Sequence, residues 1–87
     1  MNRRLLLDSD VVAYLELLPL PVRARIWQRL RAIAHAPDRW EDYHQRGVGG
    51  RDLSAHIFLG HAILFWDDLA DRHVKIPEIV PADEAAN

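Results

Sequence analysis

Residues 50–76, GRDLSAHIFLGHAILFWDDLADRHVKI, decide the fold of this 87-residue chain. From 51 to 59, polar and apolar side chains alternate, which is the pattern of a strand with one buried face. Residues 62–66, AILFW, are apolar at every position and predict a central strand. The dipeptide Gly60-His61 predicts a tight hairpin turn between them. The stretch therefore begins with two antiparallel strands.

A third strand follows an acidic turn and covers 72–80, where the alternation resumes. Val74 and Ile76 are predicted to face the core, and Pro77 predicts an edge position or the end of regular pairing. The alternation of the first strand also defines two sets of side chains. We predict that the polar-rich set of the first strand lies on the open face of the sheet, together with the outward-facing residues of the third strand. These residues are Asp52, Ser54, His56 and Phe58 in the first strand, and His73 and Lys75 in the third.

The preceding half of the chain predicts a strand at 3–7 and helices at about 10–18 and 21–35. Two prolines, Pro19 and Pro21, separate the helices, because proline is tolerated in the first turn of a helix but ends the one before it. Residues 36–50 are predicted to form an irregular, flexible loop, and 82–87 a frayed tail.

The order strand, helix, helix, strand, strand, strand predicts one α+β domain spanning 1–87. It has two layers in a βααβββ arrangement, with a helical hairpin packed on a small, mainly antiparallel sheet. One face of the sheet contacts the helices and the other is left partly open.

Composition limits the function classes. The absence of cysteine excludes disulfides and cysteine-based zinc sites. A net charge of −2 differs from that of nucleic-acid-binding modules, which are usually basic overall. The chain also has no run of transmembrane length and no signal-peptide core, so we expect a cytoplasmic protein without membrane contact.

Two stretches carry a family resemblance: LELLPLPVRARIWQRLRAIAHAPDRW (15–40) and GRDLSAHIFLGHAILFWDDLADRHVKIPEI (50–79). With the order of elements, they resemble the RelE/ParE superfamily of toxins from bacterial type II toxin–antitoxin systems, over about residues 3–82. The resemblance implies a toxin neutralised by a cognate antitoxin.

The resemblance implies one of two activities. RelE-like members cleave mRNA in the ribosomal A site, and ParE-like members inhibit DNA gyrase without catalysis. We predict the RelE-like activity, inhibition of translation by ribosome-dependent mRNA cleavage, with the ParE-like activity as the alternative. A degenerate member that acts only as a binding module is a third interpretation. The chain ends in PEIVPADEAAN and lacks the basic and aromatic residues that the catalytic branch often carries there.

RNA cleavage by 2′-hydroxyl attack needs a proton acceptor, a proton donor and cations at the phosphate. Histidine serves either proton role near neutral pH, and arginine and lysine stabilise the charge. We therefore predict His56 and His73 as the acid–base pair, with Arg51 and Lys75 on the phosphate. The alternative interpretation is that these are ordinary exposed residues. No cofactor and no metal site are expected.

Other arginines are candidates for binding a partner or nucleic acid: Arg23, Arg25, Arg29, Arg46 and Arg72. Those on the second helix belong to a positive patch that suits an acidic protein segment or phosphate. The expected partners are a cognate antitoxin and either the ribosome with its mRNA or DNA gyrase. A homodimer and a toxin–antitoxin hetero-oligomer are the alternative assemblies.

Overall fold

The protein is described by a computed structural model covering residues 3–47 and 50–85. It contains five strands, three α-helices and one short 3₁₀ helix in the order β1 (Arg4–Leu7), α1 (Ser9–Glu16), α2 (Leu20–His35), 3₁₀ helix (Pro37–Trp40), β2 (Tyr43–Arg46), β3 (Asp52–Phe58), β4 (His61–Asp68), β5 (His73–Pro81) and α3 (Ala82–Ala85).

The strands form a single five-stranded sheet in the order β1-β5-β4-β3-β2. β1 runs parallel to β5, and the other neighbouring pairs are antiparallel. The predicted α+β class with a mainly antiparallel sheet is confirmed. β4, the AILFW strand, is central as predicted, because it pairs with β3 on one side and β5 on the other.

The segment predicted as a flexible loop is largely regular. The 3₁₀ helix begins at Pro37, and β2 pairs with Asp52–Ala55 at the edge of the sheet. Asp42 adds a backbone hydrogen bond to the carbonyl of Ala55, at 2.8 Å. The polar sequence of β2, YHQR, gives no alternation to detect, since this strand is held by backbone pairing. Residues 48 and 49 of the predicted loop lie outside the described part of the chain.

Two further boundaries differ from the prediction. The hairpin turn consists of Leu59 and Gly60, both with positive φ (51° and 78°), as two-residue turns matching the twist of the sheet require. The part of the tail that is described, Ala82–Ala85, forms α3, and the amide of Ala82 donates to the carbonyl of Gly60.

Pro77 lies in a β-bulge rather than in an edge strand. Between the paired positions Leu64↔Glu78 and Trp66↔Lys75, β5 has two residues where β4 has one. The pairing of β1 with β5 ends at Ile76, so no β1 partner needs the amide hydrogen that proline lacks. On the β1 side Pro77 therefore has the free edge that was predicted, whereas pairing with β4 resumes at Glu78, so regular pairing does not end at Pro77.

The main core lies between the helices and one face of the sheet. Its fully buried side chains come from α1, α2 and the two strands β4 and β5, and include Val11, Leu15, Ile26, Leu30, Ile33, Ile63, Phe65, Val74 and Ile76. Arg23 of α2 donates to the carbonyls of Leu15, Glu16 and Leu18, which fastens the end of α1 to the second helix. None of the helices in the described residues is long and apolar enough to cross a membrane.

Candidate functional site on the open face of the sheet

The strand register divides the sheet residues between two faces. His56 opposes Ile63, a core residue, so it points toward the helices. Lys75 opposes Trp66, and His73 opposes Asp68, on the face that the helices leave open. The prediction that His56 and His73 share the open face is therefore wrong, and these two side chains lie on opposite sides of the sheet.

His56 is part of a cluster under the second helix. Its Nδ1 lies 2.9 Å from Oδ2 of Asp42, and its Nε2 lies 2.7 Å from Nη1 of Arg29. The Arg29 guanidinium also lies 4.3 Å from the ring centroid of Trp40 and 4.0 Å from that of Phe58. The cluster thus joins α2, the 3₁₀ helix and β3.

The hydrogen bonds define the protonation of His56. A guanidinium can only donate, so Nε2 must be the acceptor and Nδ1 carries the proton that is donated to Asp42. The imidazole is therefore neutral, 7% exposed, and both nitrogens are occupied. In this arrangement His56 orders the fold and has no free nitrogen for a substrate.

The wrong orientation of His56 has a simple origin. Alternation separates the side chains of β3 into two sets, but both sets contain apolar residues. Leu53 and Ala55, which we predicted to face the helices, form a second apolar cluster on the open face with Leu64. The two-residue alternation of side chains does not by itself tell which of the two sets is covered by the helices.

Trp66 is the central residue of the open face. It packs against the second apolar cluster and is half-buried, whereas the sequence predicts a core residue. The guanidinium of Arg51, just before β3, lies 3.8 Å from its ring centroid, and Nζ of Lys75 lies 5.0 Å away. Two of the four predicted catalytic residues thus meet at Trp66, an arrangement that favours cation–π contacts.

The cations near β5 are paired with acidic residues. Nζ of Lys75 lies 2.9 Å from Asp68 and 3.4 Å from Asp71. The hydrogen bond from Lys75 lowers the pKa of Asp68, and the same bond raises the pKa of Lys75. His73 donates from Nδ1 to the carbonyl of Asp71 at 2.8 Å, and its ring also lies near the Asp71 carboxylate.

The arginines predicted to bind partners do not form one surface. Arg23 is committed to backbone carbonyls, and Arg29 to His56. Arg25 is exposed at the edge of the Phe58 ring, at 5.8 Å. Arg46 is exposed on β2, and Arg72 is exposed in the turn before β5 with a φ of 58°.

The residues that sequence reasoning missed are Asp42, which fixes His56, and Trp66 as an open-face side chain. A signal for Asp42 was absent because it lies in the segment predicted to be irregular. Among the described residues, no group of three or more His, Asp or Glu side chains is arranged to hold a metal ion.

Sequence comparison matches no protein-family model and no curated protein. Comparison with solved structures does find similar chains. One belongs to the archaeal RelE–RelB complex from Pyrococcus horikoshii, with a TM-score of 0.76 and 20% identity, covering 94% of this chain and 97% of that one. The chain has the RelE toxin fold.

Two further structures have the same RelE-like fold. A mutant of the Escherichia coli toxin RelE in the free state has a TM-score of 0.76 and 17% identity, covering 99% of this chain and 90% of that chain. The toxin–antitoxin complex RelBE2 from Mycobacterium tuberculosis has a TM-score of 0.77 and 15% identity, with 93% and 99% covered. The resemblance to RelE-like toxins is thus confirmed at the level of fold.

Proposed function

We propose that this RelE-like chain is the toxin of a type II toxin–antitoxin pair and is neutralised by a cognate antitoxin. The similarity in fold covers 97%, 90% and 99% of the three similar chains. Two of the three similar structures are complexes of a toxin with its antitoxin.

The toxin acts through the open face of the sheet by binding its target without cleaving it. The observation that carries this proposal is the separation of the two histidines. His56 is neutral and enclosed beneath α2, which leaves His73 without an imidazole partner on its own face. At the middle of this face Leu53, Ala55 and Leu64 are buried around Trp66, whose ring is partly exposed beside Arg51 and Lys75. A partly exposed aromatic side chain flanked by cations suits contact with a macromolecule.

A second candidate is RelE-like cleavage of mRNA on the ribosome. The observation that favours it is the convergence of Arg51 and Lys75 on Trp66, because cations beside an aromatic ring can hold a phosphate and stack a base. Cleavage by this face would use His73 for one proton transfer and a group other than His56 for the other. DNA gyrase, the target of ParE-like toxins, is the expected target in the non-cleaving mechanism.

Controlled expression of the chain in a bacterial host tests the proposal. We expect growth to stop, and co-expression of a small neighbouring open reading frame to restore it. Trp66→Ala should remove the growth arrest at an unchanged protein level, whereas Glu16→Gln, an exposed position on α1, should not. Normal growth at high expression would contradict the toxin assignment.

Mapping of mRNA 5′ ends in the arrested cells separates the two mechanisms. Intact mRNA with a DNA-damage response is the result expected for a gyrase-binding toxin. Cuts in the ribosomal A site that disappear in His73→Ala would instead establish the ribonuclease mechanism and overturn binding without cleavage.

A further inference from the structure

A cavity of about 310 Å³ lies at one end of the open face. The residues that line it include Asp8, Arg51, Leu53, Trp66, Pro77 and Glu78. The bulge at Pro77 gives β5 its extra residue immediately before Glu78. The bulge of β5 therefore lies beside the cavity.

The charge of this cavity is unbalanced. Asp8 and Glu78 are both exposed, and neither carboxylate has a hydrogen bond or ion pair with residues 3–47 or 50–85. Asp8 precedes α1, but its side chain makes no capping hydrogen bond. The charged residues lining the cavity are two carboxylates and one guanidinium, that of Arg51, so the lining has an excess of one negative charge. This excess favours a cation as the occupant of the cavity, whereas the ribonuclease alternative uses Arg51 and Lys75 at the Trp66 ring.

We propose that the cavity receives an arginine or lysine side chain from a protein partner. The stem of that side chain would pack against Leu53 and Pro77, and its charged end would reach the two carboxylates. Arg51 already covers the Trp66 ring, so the incoming cation pairs with the carboxylates instead of the indole. The identity of the partner as the antitoxin rests on the proposed function.

Peptide binding to the purified full chain tests the cavity directly. The probe is acetyl-Gly-Arg-Gly-amide, and its matched control contains citrulline, which is neutral and nearly identical in shape to arginine. Binding is followed by NMR through the indole N–H of Trp66 and the backbone amide of Glu78. We expect the arginine peptide to bind in the millimolar range and the citrulline peptide about tenfold more weakly.

Variants locate the binding site. Asp8→Asn combined with Glu78→Gln should weaken binding of the arginine peptide about tenfold, and Glu16→Gln should leave it unchanged. Circular dichroism of each variant establishes that the fold is retained. If the double variant fails to fold, the affinity for the arginine peptide is measured in the single variants Asp8→Asn and Glu78→Gln instead.

Three results would overturn the proposal: no shift with millimolar arginine peptide, equal binding of the citrulline peptide, or binding that survives loss of both carboxylates. A short single-stranded RNA that shifts these signals where the peptide does not would assign the cavity to nucleic acid instead. The peptide-binding assay uses purified protein and does not depend on toxicity. A failure of peptide binding can therefore be distinguished from a failure of the toxin assignment, which would appear as normal growth.

Discussion

Phe65 and Trp66 are consecutive residues of β4, yet they belong to different parts of the molecule. Phe65 faces the helices and is 1% exposed, and Trp66 faces away from them beside Arg51 and Lys75. The difference shows that the two faces of this sheet are not equivalent, although both are apolar at their centres. The helix-covered face holds the main core, and the other face presents the partly exposed Trp66 with its two cations.

Truncating these neighbours is the strongest test of that difference. Phe65→Ala should lower the free energy of unfolding by about 3–5 kcal/mol, because it leaves a cavity in the main core. Trp66→Ala should cost only about 1–2 kcal/mol, since its ring is half-exposed, and should abolish growth arrest. Urea unfolding of both purified variants gives the comparison. Equal losses of stability would show that Trp66 belongs to the core.

The two histidines provide a second comparison between the faces. His56→Ala should lower the free energy of unfolding by about 1–3 kcal/mol, because Asp42 and Arg29 lose their shared partner beneath α2. His73→Ala should change it by less than about 0.5 kcal/mol, since surface ion pairs contribute little. Urea unfolding at neutral pH measures both. A larger effect at His73 would contradict the assignment of His56 to the structural face.

The smallest expected effect concerns the pH dependence of the open face. The pKa of Asp68 is lowered by folding, so the ionised carboxylate stabilises the fold at pH values above the pKa that Asp68 has in the unfolded chain. This stabilisation is lost as the pH falls through the pKa that Asp68 has in the folded protein. The pKa of Lys75 is raised by folding, so the charged ammonium group stabilises the fold at pH values below the pKa that Lys75 has in the unfolded chain. This stabilisation is lost as the pH rises through the pKa that Lys75 has in the folded protein.

Wild type should therefore exceed Lys75→Met in stability near neutral pH, and the difference should vanish in strong acid and strong alkali. Thermal unfolding over this pH range, with and without added salt, measures the difference. Because the pair is only half-buried, high salt should reduce the difference. A difference that persists in strong acid would mean that Lys75 stabilises the fold without Asp68.

Local patterns were sufficient for α1 and α2 and for β3, β4 and β5. Alternation located the strands to within a few residues, and the pair of prolines separated α1 from α2. The missing strand β2 shows the limit of this approach, because YHQR pairs through its backbone and carries no pattern in its side chains. The turn at Leu59 was misplaced by one residue for a similar reason, since leucine rarely adopts a positive φ.

By itself the sequence determined the order of β1, α1, α2, β3, β4 and β5, the central position of AILFW and the division of each of the last three strands into two sets of side chains, because these follow from period and turn chemistry. Only the tertiary structure decided which set the helices cover, and so placed His56 under α2 and His73 on the open face. The physical reason is that both sets are apolar enough to be buried. The choice between them depends on where α1 and α2 dock, and on the hydrogen bonds of Asp42 and Arg29, which join residues far apart in the chain.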